Sequence, residues 1–138
     1  MKILLFIIIC SFSFIVSAEE NISIALGETT YSTDGSFKAE LTGQNIEPVR
    51  YIGLSIEMRQ DEKWVVIRRD TSCPCLGKCK KKVTALSKGQ KVKETWDFKN
   101  DACGVVTPGV YRAVVTGNYI SELGGNLVLG SSREFRIK

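Results

Sequence analysis

The chain has 138 residues, 43% of them hydrophobic and 25% charged, with a formal net charge of +4. That length and balance suit one ordinary folded domain and leave no room for several cores. Histidine is absent, which removes the commonest general base and the usual catalytic triads, and no Gly-x-Ser-x-Gly elbow, phosphate loop or metalloprotease motif occurs.

The chain opens MKILLFIIICSFSFIVSAEE. Lys2 followed by an apolar run to Val16 and then Val16-Ser17-Ala18 has the layout of a signal peptide, residues 1–18, cut after Ala18. The run is shorter than the ~20 residues a membrane-spanning helix needs, so no transmembrane segment is expected after cleavage. Cys10 follows Ile9, where a lipid-attachment box wants a small residue, and reads as part of the apolar run. The mature chain is expected to be secreted or periplasmic and to form one domain over residues 19–138, with 18 basic residues against 15 acidic ones. Asn21-Ile22-Ser23 is a glycosylation sequon if the source is a eukaryote, placed where the mature terminus is expected to fray.

Strand periodicity then recurs, with almost no helical periodicity. Expected strands are 36–42, 51–59, 64–68, 83–86, 92–98, 110–116, 126–129 and 133–137. In 51–59, Ile52, Leu54, Ile56 and Met58 share one face, the alternation of a half-buried strand. Gln60-Asp61-Glu62-Lys63 is a polar turn that makes 64–68 its hairpin partner. Asp34-Gly35, Lys88-Gly89, Pro108-Gly109 and Gly124-Gly125 mark further turns. About seven to eight short strands predict an all-β sandwich of two antiparallel sheets.

The segment 73–82, CPCLGKCKKK, carries three of the four cysteines of the mature chain: Cys73, Cys75 and Cys79, with Cys103 the fourth. An even count in an exported chain predicts two disulfides and no free thiol. Pro74 holds Cys73 extended, and two extended residues span about 7 Å, the limit for a bridge, so a Cys73–Cys75 bond is disfavoured. Two pairings stay open: Cys73–Cys103 with Cys75–Cys79, or Cys75–Cys103 with Cys73–Cys79. Closing the resulting ~30-residue loop is worth about 3–4 kcal/mol in the chain-entropy account. The competing reading is a thiolate site for copper or zinc, but paired Cys-x2-Cys knuckles are missing and no histidine is present. No Cys-x-x-Cys opens a helix, which counts against thiol redox catalysis. No metal site and no cofactor are expected.

From residue 78 to 93 there are seven lysines (Lys78, Lys80, Lys81, Lys82, Lys88, Lys91 and Lys93) and no acid. Such a block either presents a basic binding surface to an anionic partner such as lipid headgroups or glycan, or keeps loops soluble and strand edges unpaired. No aromatic residue interleaves with it, so nucleic acid is not an expected partner. Asp97, beside Trp96, and Asp101, near Cys103, have no partner fixed by spacing and read as turn and capping residues.

In Pro108-Gly109-Val110-Tyr111 a Gly-x-Tyr enters the apolar strand that continues through Val115. The Tyr111 hydroxyl there is placed to fold back on the preceding loop, the tyrosine corner of immunoglobulin-like sandwiches. Antibody domains carry a cysteine two residues later, where this chain has Ala113, so Trp64 or Trp96 is left to fill the core. Leu86-Ser87-Lys88-Gly89-Gln90, Trp96-Asp97 and Val106-Thr107-Pro108-Gly109-Val110-Tyr111-Arg112 together resemble the immunoglobulin-like domain of the Bacillus intracellular proteinase inhibitor family and of small secreted bacterial immunoglobulin-like proteins. The resemblance covers roughly residues 83–116. It implies an immunoglobulin-like fold, with Tyr111, Trp96 and Gly109 in structural roles, and protease inhibition as one possible activity. The expectation as a whole is a non-catalytic, exported, disulfide-stapled binding or structural module whose partner is an unidentified protein or anionic surface. Proteinase inhibition and thiolate metal binding stand as alternatives.

Overall fold

The structure is a computed structural model that describes residues 20–71, 84–101, 103–120 and 127–138. Every regular element among the described residues is a strand: β1 (Ile22–Leu26), β2 (Thr30–Tyr31), β3 (Ser36–Gly43), β4 (Val49–Gln60), β5 (Lys63–Arg68), β6 (Thr84–Leu86), β7 (Lys91–Asp97), β8 (Gly109–Tyr119), β9 (Leu127–Ser131) and β10 (Phe135–Ile137). They form a three-stranded sheet, β1-β3-β7, and a seven-stranded sheet whose main path is β2-β10-β8-β4-β5, with β6 on β4 and β9 on β8. Neighbours pair antiparallel except β2 and β10, which are parallel.

Alternation fixes the faces. Phe37, Ala39 and Leu41 on β3, Leu54 and Ile56 on β4, and Tyr111, Ala113 and Val115 on β8 are all buried. Each set is spaced by two residues, so each lines one side of its sheet. Tyr31, Phe37, Trp96, Phe98, Tyr111 and Phe135 join through ring contacts, among them Phe37–Phe135 and Trp96–Phe98 at 4.8 Å and Tyr111–Phe135 at 5.9 Å. Such contacts add about 0.5–1.5 kcal/mol per pair beyond area burial. Rings from both sheets and the fully buried Ala113 fill the core.

Two expectations need correction. Ten strands are present among the described residues where seven or eight were expected, and the two missed ones lie at the start. Residues 22–26 do not fray: they pair with β3 from Ile22↔Gly43 to Leu26↔Ala39, and Ile22 is fully buried. Asn21 holds this end in place. Its N–H donates to the Leu129 carbonyl at 2.9 Å, and its Oδ1 accepts from Tyr119 Oη at 3.1 Å and from Asn45 Nδ2. The joint is tight enough to need glycine at 130, where an added Cβ would lie 2.0 Å from the Ile22 carbonyl oxygen.

Candidate binding face and its buried anchor

The β4–β5 hairpin turns on two residues, Asp61 (φ 49°) and Glu62 (φ 65°), both left-handed. Turns of that handedness match the twist of the flanking strands, and Gln60↔Lys63, Arg59↔Trp64, Met58↔Val65 and Glu57↔Val66 follow in register. The register then steps to Ile56↔Arg68, so Ile67 is an extra residue. Without this bulge Arg68 would share the outward face of Trp64 and Val66. The bulge reverses the alternation and aims Arg68 into the sandwich, an effect bulges have where they redirect a side chain.

Inside, Arg68 meets a buried carboxylate. Arg68 Nε donates to Asp101 Oδ2 at 2.8 Å, with the Asp101 side chain 0% and the Arg68 side chain 10% exposed. Trp96 Nε1 donates to the same oxygen, and the Cys103 N–H donates to Asp101 Oδ1 at 2.7 Å. Arg68 Nη1 donates to the Ile67 carbonyl, and its guanidinium lies 5.7 Å from the Trp96 ring centre. Burial pulls the Asp101 pKa up, but the Arg68, Trp96 and Cys103 donors outweigh it and hold the carboxyl below its ordinary value. Asp101 is therefore more than a turn residue. It ties β5, β7 and the Cys103 backbone together. Sequence reasoning missed it because its ionic partner is 33 residues away. Asp97 does act as a turn residue, accepting from the Lys99 N–H at 3.0 Å and from Asn100 Nδ2 at 2.7 Å.

Outside, the same strand presents an apolar strip. Val66, 51% exposed, shares this face with Trp64, while Val65, 40% exposed, lies on the other side in register with Met58. Trp64 is half-buried beneath Arg112, whose guanidinium carbon lies 4.4 Å from its ring centre. Arg112 Nε is in turn held by Glu57 Oε2. Glu57 sits opposite Val66 on one side and Arg112 on the other, so the carboxylate holds the guanidinium over the indole. Trp64 belongs to this outer platform, and Trp96 is the tryptophan that fills the core. Among the described residues β5 pairs with β4 alone, leaving its other edge without a strand.

The remaining sequence candidates are dispersed. Cys73, Cys75, Cys79, Lys78, Lys80, Lys81 and Lys82 lie outside the described residues. Lys88 occupies the exposed β6–β7 turn beside Gly89, whose φ of +84° suits that turn. Lys91 and Lys93 project from the outer side of the small sheet, where Lys91 Nζ pairs with Glu40 Oε1 at 3.2 Å and Lys93 lies opposite Glu40. The described part of the lysine block is thus a surface of mixed charge. Tyr111 Oη donates to the Thr107 carbonyl, four residues back at the strand entry. A Cβ on Gly109 would meet the flexible end of Met58, 2.7 Å from its Cε. No group of three or more histidine, cysteine, aspartate or glutamate residues among the described residues is arranged to hold a metal ion.

No family model matches the chain, and no curated protein does. It is similar to several solved structures at low identity. One is the Pseudomonas fluorescens alkylpurine DNA glycosylase AlkC bound to DNA containing an abasic site analog (15% identity, TM-score 0.49, covering 88% of this chain and 31% of that one). Another is the periplasmic chaperone SfaE (13%, TM-score 0.40, 83% and 56%). A third is the PmoD soluble domain from Methylocystis sp. ATCC 49242 (12%, TM-score 0.43, 88% and 94%). The chain thus spans under a third of the first protein and little more than half of the second.

Proposed function

We propose that this chain is an exported, disulfide-stapled immunoglobulin-like module that acts by binding another macromolecule, and that β5 with the adjoining part of β8 forms its binding face. The observation that carries the reading is the exposed Val66 beside the Trp64–Arg112 stack on the outer face of β5. Tryptophan and arginine dominate the energetically important positions of protein interfaces, and here the stack is already held in place by Glu57, so little ordering is lost on binding. The immunoglobulin-like assignment draws on the strand order, on β2 leaving the small sheet's side to pair with β10, and on the Tyr111–Thr107 bond. Export follows from residues 1–18 as read above. For the staples, an even count of four cysteines in an exported chain supports oxidised pairs over a thiolate metal site; Cys73, Cys75 and Cys79 lie outside the described residues.

The test is quantitative capture. Mature, oxidised protein is immobilised and exposed to envelope and secreted fractions of its source, and retained proteins are compared with those held by Trp64→Ala and Arg112→Ala variants. A partner whose retention falls about tenfold or more with either change supports the face. A partner retained equally by all three forms places binding elsewhere. The sequence resemblance adds a narrower version in which the partner is a protease; stoichiometric loss of activity on titrating subtilisin or trypsin with the mature protein is its readout.

A further inference from the structure

We propose that the edge of β5 left without a strand among the described residues pairs antiparallel with β5 of a second copy of this chain, forming a weak two-fold dimer; this rests on the binding face proposed above and names its occupant. The register follows from the hairpin. A two-residue turn makes Gln60↔Lys63 a hydrogen-bonded pair, so the N–H and C=O groups of Lys63 and Val65 point to β4 and those of Trp64 and Val66 point away. Antiparallel pairing requires outward groups to meet outward groups. Of the two-fold registers that meet this condition, centred on Trp64, Val65 or Val66, the one centred on Val65 sets Trp64 of one copy opposite Val66 of the other. That register places an aromatic ring beside a β-branched side chain on the outer face twice over, a favourable cross-strand pair.

The charges along the strand agree with it. At the exposed turn end of β5, Asp61 and Glu62 outnumber Lys63, and Arg69 is exposed just past the other end. Antiparallel pairing brings the acidic end of each copy beside Arg69 of the other, whereas a parallel arrangement sets like ends together. Arg68 adds no repulsion, because Asp101 already neutralises it inside the sandwich. The bulge after Val66 limits the straight pairing surface to about four residues. The contact is therefore far smaller than a permanent interface, and the dissociation constant is expected on the order of 10–1,000 µM.

Sedimentation equilibrium of the mature, oxidised chain from about 10 µM to about 2 mM reads this directly, the range spanning that expected constant. A reversible monomer–dimer equilibrium is expected. Val66→Pro should raise the dissociation constant at least about tenfold while leaving the fold intact, since proline is tolerated where an edge N–H faces solvent. Glu62→Lys and Arg69→Glu should each weaken the dimer, and the double exchange should restore it. That rescue separates a paired contact from general loss of stability, and Glu62→Lys keeps a non-glycine residue at the same left-handed position. Three results overturn the proposal. One is a monomer throughout the range. The second is a dimer indifferent to Val66→Pro. The third is a charge pair that shows no rescue. A monomer that still loses its captured partner on Trp64→Ala refutes the second copy and leaves the binding face standing. A monomer whose captured partner ignores Trp64→Ala refutes both.

Discussion

Strand β5 lies between two trios of the same chemistry, an arginine, a tryptophan and a carboxylate, one on each face. Inside are Arg68, Trp96 and Asp101, with the two ionic side chains 10% and 0% exposed. Outside are Arg112, Trp64 and Glu57, with Arg112 33% and Glu57 15% exposed. The inner carboxylate accepts from both other members and from a backbone N–H, so its three bonds close a buried network. In the outer trio the carboxylate holds the arginine and the arginine covers the ring at 4.4 Å. Burial decides what each trio is for. A charge in the interior must be fully partnered or it is heavily penalised, whereas a half-exposed one keeps part of its hydration. The inner trio is a fixture of the fold, and the outer one is a platform.

The largest test of this contrast removes the inner carboxylate. Asp101→Ala strands Arg68 and should lower unfolding stability by about 3–5 kcal/mol, read from denaturant midpoints. Replacing both partners with apolar residues, as in Arg68→Met with Asp101→Leu, should be markedly less harmful than Asp101→Ala, because no buried charge is left behind. A loss under about 1 kcal/mol for Asp101→Ala, within the range of exposed pairs, would show that the two trios are equivalent.

Acid sharpens the same point. The Asp101 pKa is depressed in the folded chain, so its contribution is complete above the ordinary carboxylate value near 4 and is lost as pH falls through the lower folded value. Wild-type stability should therefore fall below about pH 4 more steeply than that of Asp101→Asn, which has no proton to take up at that site. Parallel acid profiles for the two proteins would remove Asp101 from the linkage.

Tyr111 supplies a neutral counterpart to the buried ion pair. Its ring is fully buried and its hydroxyl donates to the Thr107 carbonyl. Tyr111→Phe keeps the ring and strands one acceptor, with an expected loss of about 1–2 kcal/mol, while Tyr111→Ala also removes the ring and should cost about 3–5 kcal/mol. A loss under about 0.5 kcal/mol for Tyr111→Phe would mean that the bond adds nothing beyond packing.

What the sequence disclosed follows the range of the forces involved. Strands β3, β4, β7 and β8 are legible because alternation is local, and β5 because the polar turn at 60–63 marks a hairpin partner. The Tyr111 bond spans four residues and could be anticipated. β1 and β2 could not, because their order depends on distant groups: the Ile22 backbone packs on Gly130 and Asn21 bonds Tyr119, each about a hundred residues on, and β2 is two residues long and parallel to the last strand. The bulge at Ile67 hid the inner trio. Simple alternation puts Trp64, Val66 and Arg68 on one face, and only the extra residue sends Arg68 to Asp101. A buried salt bridge between two sheets leaves no spacing signature, so Asp101 looked like an ordinary loop residue.

The smallest effect belongs to the outer pair, and it completes the comparison. A double-mutant cycle on Glu57→Gln and Arg112→Met should give a coupling of about 0.3–1 kcal/mol. Both side chains keep contact with water, so Glu57 exchanges hydration for a single charged bond and gains little net energy. The coupling should shrink as salt rises from about 0.05 to 0.5 M, because the Debye length then falls well below the ~10 Å of dilute buffer. The Arg68–Asp101 coupling should stay nearly constant over the same range, since no ions reach a carboxylate with no exposed surface. An outer coupling above about 2 kcal/mol that ignores salt would mean that Arg112 and Glu57 are sealed from solvent. The Trp64 face would then be part of the fold's interior and not a surface open to a partner.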